Sequence, residues 1–157
     1  VMAELDATEV EDSLRVDAHP ILDAFCKEVL RIHPVIPGVG RVLQRPTTVG
    51  GWDLPADVMV GGSALLAHFD EESWPDPERF DLDRFLDTRI SPYAFLPFGG
   101  GVRRCIGESF ARYEMRIVLA TLLRARRPVS TGAKVRTVRR NLTLSPSGGY
   151  PVKLERR

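Results

Sequence analysis

The sequence predicts a mainly α fold with small β-sheets, an α+β protein, from three observations. Two long stretches carry apolar residues at helical spacing, a run of short β-prone segments is punctuated by Gly-Gly and Pro turns, and the C-terminal stretch alternates in short segments. At 157 residues, 43% apolar and 27% charged, one globular domain is the expectation.

Val1-Met2-Ala3-Glu4-Leu5 reads as helical and starts with Val rather than Met, so residues 1–157 are expected to be a single partial domain of a longer protein. Pro20 to Ile32 predicts a helix: Ile21, Leu22, Phe25, Val29 and Ile32 share a face, Pro20 suits the first turn and Pro34 ends it at His33. His19 and His33, flanking it, are expected to be satisfied surface or cap residues. Val35 to Gly40 is an extended link. Short β segments follow from Arg41 to Ser63, with turns at Gly50-Gly51 and Pro55-Ala56-Asp57, and Ala64 to His68 is one helical turn. Asp70 to Pro97 is an acidic, proline-punctuated loop whose Trp74, Phe80, Phe85 and Phe95 can pack it. Ile106 to about Arg124 predicts a second long helix. Ile106, Phe110, Tyr113, Ile117 and Ala120 mark one face and Met115, Val118, Leu119 and Leu122 fill others, so burial on most sides is expected. Pro128 to Leu154 reads as terminal β hairpins with a turn at Gly148-Gly149.

No run approaches the roughly 20 apolar residues of a bilayer span, and no signal segment opens the chain. Two cysteines, Cys26 and Cys105, make no disulfide framework or C-x-x-C pair, which points to a reducing, cytoplasmic setting. Cys26, between Phe25 and Lys27 on the first long helix, reads as core. The net charge of +1 hides an asymmetry: residues 1–92 carry 8 Lys/Arg against 18 Asp/Glu, and residues 93–157 carry 14 against 3. The halves are expected to neutralise each other across one fold. A basic half can also meet nucleic acid, and Arg124-Ala125-Arg126-Arg127, Arg139-Arg140 and Arg156-Arg157 would serve, but no groove-reading motif or stacking signature accompanies them.

The most telling segment is Phe98-Gly99-Gly100-Gly101-Val102-Arg103-Arg104-Cys105-Ile106-Gly107. A cysteine at the opening of a helix meets unpaired N–H groups and the positive end of the macrodipole, and both favour the thiolate. Arg103 and Arg104 add positive charge. Such a thiolate can be a nucleophile, a redox switch or an axial metal ligand. A phosphate cradle would need a Gly-Lys-Ser/Thr ending, which this loop lacks.

Three features in this order and spacing resemble the heme-thiolate monooxygenases, the cytochromes P-450. They are Phe98-x-x-Gly101-x-Arg103-x-Cys105-x-Gly107, Glu28-x-x-Arg31 upstream, and the run from Trp74 to Phe85 between them. The resemblance covers essentially the whole chain and the C-terminal part of that fold: helix, short β segments, meander, cysteine loop, long helix and terminal hairpins. It implies that Cys105 is the axial ligand of a heme b iron, since thiolate pushes electron density onto iron and favours O–O cleavage. It implies that Phe98 shields the sulfur from water, that Gly101 and Gly107 clear backbone where a Cβ would collide or force a poor φ, and that Gly99 and Gly100 serve loop flexibility. Arg103 and Arg41 correspond to arginines that hold the heme propionates. Glu28 and Arg31 belong to a structural triad, and register puts its third member at Arg84 rather than at Arg79, although Pro77-Glu78-Arg79-Phe80 spells the usual tetrapeptide. His68 is expected to be structural.

The resemblance further implies a parent enzyme that inserts one oxygen atom of O2 into a small organic substrate. A peroxygenase, an isomerase or dehydratase, or an inactive fragment are the alternatives. The distal acid–alcohol pair of that chemistry has no equivalent in residues 1–19. Electrons would come from a ferredoxin- or flavodoxin-type donor protein, docked on a basic proximal face built from some of Arg104, Arg112 and Arg116.

Overall fold

The structure, a computed structural model, describes residues 1–8, 18–86 and 89–157. Residues 9–17, within the stretch searched for an acid–alcohol pair, and 87–88, in the proline-punctuated loop, lie outside the described residues. A short helix α1 (Met2–Ala7) precedes the expected helix α2 (Pro20–Ile32). Then come β1 (Gly38–Val42), β2 (Thr47–Val49), β3 (Trp52–Leu54), β4 (Met59–Ser63) and α3 (Ala64–His68). Single 3-10 turns at Leu82–Phe85 and Gly101–Arg103 interrupt the loops before α4 (Glu108–Ala125). The chain ends in β5 (Arg126–Ser130), β6 (Thr137–Arg140), β7 (Thr143–Pro146) and β8 (Val152–Arg156).

Among the described residues every sheet is a two-stranded antiparallel pair: β1–β4, β2–β3, β5–β8 and β6–β7. The β2–β3 hairpin turns at Gly50 (φ 57°) and Gly51 (φ 84°), the left-handed pair a two-residue turn requires. At the C-terminus β6–β7 is a simple hairpin, and β5 and β8 close around it with Arg126 opposite Arg156. The extended link after α2 does more than connect. Gly38 starts β1, and the Val35 carbonyl accepts from Leu144 N–H at 2.7 Å, tying the link to β7.

The core joins the two ends of the chain. Leu5 of α1, Leu22 and Cys26 of α2 and Ala120 of α4 pack together, with Val1, Met115, Leu119 and Leu123 against them. Burial pushes the Cys26 thiol up to about 11, with the Asp23 charge adding, so Cys26 is inert core. The N-terminus of α2 is capped from a distance. His19, the residue at its N-cap, makes no side-chain cap. Instead the Glu4 carboxylate accepts from Ile21 N–H at 2.7 Å and Leu22 N–H at 3.0 Å, satisfying two otherwise unpaired donors at the positive end of the helix. His19 itself is buried, not a surface residue, and neither ring nitrogen has a hydrogen-bond partner among the described residues. Burial accordingly holds its imidazole below the ordinary value.

The expected burial of α4 on most sides is corrected: Ala120 is its one buried residue, and Phe110, Tyr113 and Val118 are exposed. The face read from Ile106 and Phe110 is therefore open. What α4 turns inward is the stripe of Met115, Leu119 and Leu123. Asp23 of α2 pins this helix polarly, accepting from Arg112 Nη2 at 3.1 Å and Arg116 Nη1 at 3.2 Å, with Lys27 Nζ at 2.6 Å. Burial pushes the Asp23 carboxyl up, but Lys27 and Arg112 outweigh it and hold it below the ordinary carboxylate range.

Replacing Glu4 by Ala removes both acceptors from the start of α2 and is expected to cost about 1–3 kcal/mol. Glu4→Gln, which keeps one acceptor, should lose less. Urea denaturation of the two variants checks the order.

Candidate functional site

The cysteine loop hangs from the far end of the aromatic segment. Cys105 N–H donates to the Phe98 carbonyl at 3.0 Å and Gly99 N–H to the Leu96 carbonyl at 3.0 Å, so the loop closes on its own backbone. Gly99 (φ 75°) and Gly101 (φ 65°) sit in the left-handed region, which a side chain would strain. Gly99 is thus a conformational requirement rather than a source of flexibility. Gly107 has an ordinary φ of −84°, so of the two reasons expected for glycine, a collision or a poor φ, the second does not apply there. A Cβ at Gly107 would stand 3.8 Å from the Cys105 sulfur, an ordinary van der Waals contact.

Cys105 does not lie in the first turn of the helix. Gly107 is the N-cap of α4, and Cys105 precedes it, its carbonyl accepting from Glu108 N–H at 3.4 Å. The backbone bond to Phe98 holds the cysteine in the loop rather than letting it wind into the helix. Its thiol is exposed. Val102 and Ile106 on either side are fully exposed, and Phe110 on the next turn is mostly so. The sulfur therefore lies in a stretch whose apolar residues are exposed beside Arg103 and Arg104. Phe98 is half-buried, and Arg103 is exposed with no polar partner among the described residues. Arg41 lies exposed on β1, and its guanidinium reaches the neighbouring Gly40 carbonyl at 2.8 Å.

Behind this loop stands a buried ion-pair network. Glu28 and Arg31, one turn apart on α2, are both fully buried and paired in fork geometry: Arg31 Nε to Glu28 Oε2 at 2.7 Å and Nη2 to Oε1 at 2.8 Å. Arg84 Nε stands 3.6 Å from Glu28 Oε1, with its side chain 10% exposed. Arg79 turns outward, 62% exposed and paired with Asp81 at 2.6 Å. Only its carbonyl enters the network, accepting from Arg31 and Arg84. Glu28 also accepts from Asp81 N–H at 2.9 Å. Its ring of donors thus gathers α2 and the 3-10 turn into one polar knot.

The aromatic loop packs on the same arginine. The Arg31 guanidinium lies 5.3 Å from the Trp74 ring and 5.7 Å from that of Phe69. Phe95 packs edge to face against both Trp74 and Phe85, whose own rings are tilted at 42°, and Trp74 Nε1–H donates to the Ala67 carbonyl at 3.0 Å and the Ala94 carbonyl at 3.2 Å. His68 is fully buried. It accepts from Leu96 N–H at 2.8 Å through Nε2, while Nδ1 lies 3.0 Å from the Arg31 carbonyl. Spacing alone could not reveal this link, because Leu96 carries no side-chain signal and uses only its backbone.

The basic face expected from Arg104, Arg112 and Arg116 is rearranged. Arg112 and Arg116 turn to Asp23, as above, and Arg104 pairs with Glu108 through both nitrogens of its fork. A groove of about 550 Å³ lined by Ile32, Pro34, Leu65, Val135, Leu144 and Tyr150 shares no residue with the cysteine loop.

Arg31→Ala would leave the buried Glu28 carboxylate without its principal cation and should cost about 3–5 kcal/mol. Arg79→Ala, on the surface, should stay within about 0.5 kcal/mol, and Arg84→Ala should fall between them. Chemical denaturation checks the order; equal losses for Arg79 and Arg84 would contradict the asymmetry.

The sequence matches the cytochrome P450 family profile over residues 7–150. It is 53% identical over 103 residues to a putative cytochrome P450 135B1 of Mycobacterium tuberculosis, covering 66% of this chain and 22% of that protein. It is 42% identical over 135 residues to a putative cytochrome P450 135A1 of the same organism, covering 85% of this chain and 30% of that protein. Its fold superposes on a retinoic-acid-bound cyanobacterial CYP120A1 with a TM-score of 0.88 at 30% identity, covering all of this chain and 38% of the other. A zebrafish cytochrome P450 with abiraterone matches at a TM-score of 0.82 and 32% identity, again over the whole chain and 38% of the other. The chain thus spans between about a fifth and two fifths of these relatives. With the profile matched over most of its length, the chain belongs to the cytochrome P450 family.

Proposed function

We propose that residues 1–157 form the C-terminal heme-binding portion of a heme-thiolate monooxygenase, with Cys105 as the axial ligand. The observation that carries this is the exposed thiol of Cys105, held by its backbone bond to Phe98 in a stretch whose apolar residues Val102, Ile106 and Phe110 are exposed as well. The surroundings fit a flat apolar macrocycle. No protein atom lies within 4 Å of where a Cβ on Gly101 would stand, so the backbone there is open to close approach. Among the described residues no group of three His, Cys, Asp or Glu could hold a bare ion. An iron at Cys105 would therefore bring its other ligands with it, as a porphyrin does.

Bound heme supplies oxygen activation, the insertion of one atom of O2 into a small organic substrate. The chain's own residues have other duties. Cys105 offers the sulfur from the proximal side. Phe98, half-buried at the start of the loop, is assigned the duty of shielding the sulfur from water once the heme is bound. Arg103 is free to meet a carboxylate of the macrocycle, and Arg41 is assigned the same duty from β1. Glu28, Arg31 and Arg84 hold the meander against α2 and so keep the loop in register.

For electron delivery we assign an acidic donor protein of the ferredoxin or flavodoxin type, docking near the loop. The excess of 14 Lys/Arg over 3 Asp/Glu in residues 93–157 and the exposed guanidinium of Arg104 support it. Arg112 and Arg116 play no part in this reading, being committed to Asp23. We also place the protein in the cytoplasm, which the two unpaired cysteines support. Among the described residues no helix is long and apolar enough to cross a membrane.

The ferrous carbonyl of the heme-loaded protein is expected to give the red-shifted Soret band of thiolate ligation, and Cys105→Ser should abolish it; an unchanged band in the variant refutes the ligand assignment. Reduction by the donor should slow as ionic strength rises and slow again in Arg104→Glu. A rate indifferent to both overturns the docking surface.

A further inference from the structure

We propose that His68 is a positioning residue for the cysteine loop, acting in its neutral form as a hydrogen-bonded strut between Arg31 and Leu96. This rests on the heme-thiolate reading of Cys105.

The geometry assigns the proton. Leu96 N–H can only donate, so His68 Nε2, 2.8 Å away, must accept and carries no hydrogen. The proton is therefore on Nδ1, which donates to the Arg31 carbonyl at 3.0 Å. In return Arg31 Nη1 donates to the His68 carbonyl at 2.9 Å. Side chain and backbone of each residue thus bond the other, locking the end of α3 to the end of α2. The far nitrogen of the same ring holds Leu96. Leu96 is joined by Pro97 to Phe98, whose carbonyl accepts from Cys105 N–H, and its own carbonyl accepts from Gly99 N–H. Phe95 stacks on the imidazole at 5.5 Å between ring centres, so the strut is clamped from the side as well.

Every bond in this path runs through a group with one arrangement. A second proton on the ring would turn Nε2 into a donor facing a donor and release Leu96. The surroundings oppose that proton. Burial holds the His68 imidazole below its ordinary value, and the Arg31 charge adds to the effect, against the bond to the Arg31 carbonyl. The charged groups nearby are committed elsewhere: Arg31 to Glu28, Arg84 to Glu28 and the Asp76 carbonyl, and Asp70 to Ser73 N–H. Phe95, Leu96 and Trp74, from the loop side, carry no charge. The sign follows. Below the ordinary histidine value of about 6.5, the unfolded chain takes a proton that the folded site refuses, so stability is lost as pH falls from there towards the lowered folded value. The same descent releases the loop.

Three readouts on the heme-loaded protein test this, alongside His68→Gln and His68→Phe. In His68→Phe the Leu96 amide should exchange with solvent about tenfold faster or more, and part of the ferrous carbonyl band should shift from the thiolate position. His68→Gln, which offers an acceptor that does not titrate, should keep the thiolate band at neutral pH and lose the acid-induced shift that the unsubstituted protein shows between pH 6.5 and its acid limit. If His68→Phe does not fold, His68→Gln still decides: an acid profile identical to that of the unsubstituted protein overturns the proposal. So does a His68→Phe variant with unchanged Leu96 exchange and an unchanged band. Absence of the thiolate band in the unsubstituted protein would instead remove the heme reading, while Leu96 exchange would go on testing the strut.

Discussion

One buried carboxylate organises this structure. Glu28 has no exposure to solvent, and an ionised carboxylate in such a place is tolerable only if it is paired and hydrogen-bonded. Arg31 supplies the pair, Arg84 a second cation, and Asp81 a backbone donor. Arg31 lies on α2 with Glu28, whereas Asp81 caps the 3-10 turn of the loop and Arg84 lies within it. The cost of leaving Glu28 unpaired is therefore what draws the irregular loop from Trp74 to Phe85 onto α2. A loop of that length has little secondary structure to hold it, and it is fixed instead by one charge and three aromatic rings.

That anchoring has a direction. Arg31 binds the His68 carbonyl, the His68 ring binds Leu96, and Leu96 leads into the backbone bond that closes the cysteine loop. The rigid part of the molecule thus lies behind Cys105, and the apolar side chains around the sulfur face outward. An exposed contiguous apolar surface is costly in water and signals something that covers it. In the reading proposed above, a heme would cover Val102, Ile106 and Phe110 and meet that need.

The charge asymmetry finds part of its explanation in the packing. Asp23 from the acidic half takes Arg112 and Arg116 from the basic half, Asp6 takes Arg157, and Thr8 offers its carbonyl to Arg124. Opposite charges distant in sequence meet where α1 and α2 pack on α4. The asymmetry serves first to join the two ends of the chain, and only the arginines left on the surface near the loop remain for a partner.

Much was legible from residues alone. The limits of α2, the short strands, the turn at Gly50-Gly51 and the one-turn helix Ala64–His68 follow from proline positions, apolar periodicity and glycine chemistry, all of which act within a few residues. The motif around Cys105 was equally visible, because its residue types carry the chemistry. Other features depend on neighbours far away in sequence. Glu4 caps α2, Asp23 redirects two arginines from the surface, His19 is buried, and α4 keeps most of its apolar face open. The start of α4 also moved, since a hydrogen bond from Cys105 to Phe98 competed with helix formation. The amino-acid order thus determined the elements and the reactive sulfur, through interactions that are local or written in side-chain type. Only the tertiary structure decided which charges pair, which faces are covered and that a histidine ring carries Leu96, because those depend on distances that backbone topology sets and that residue order does not record.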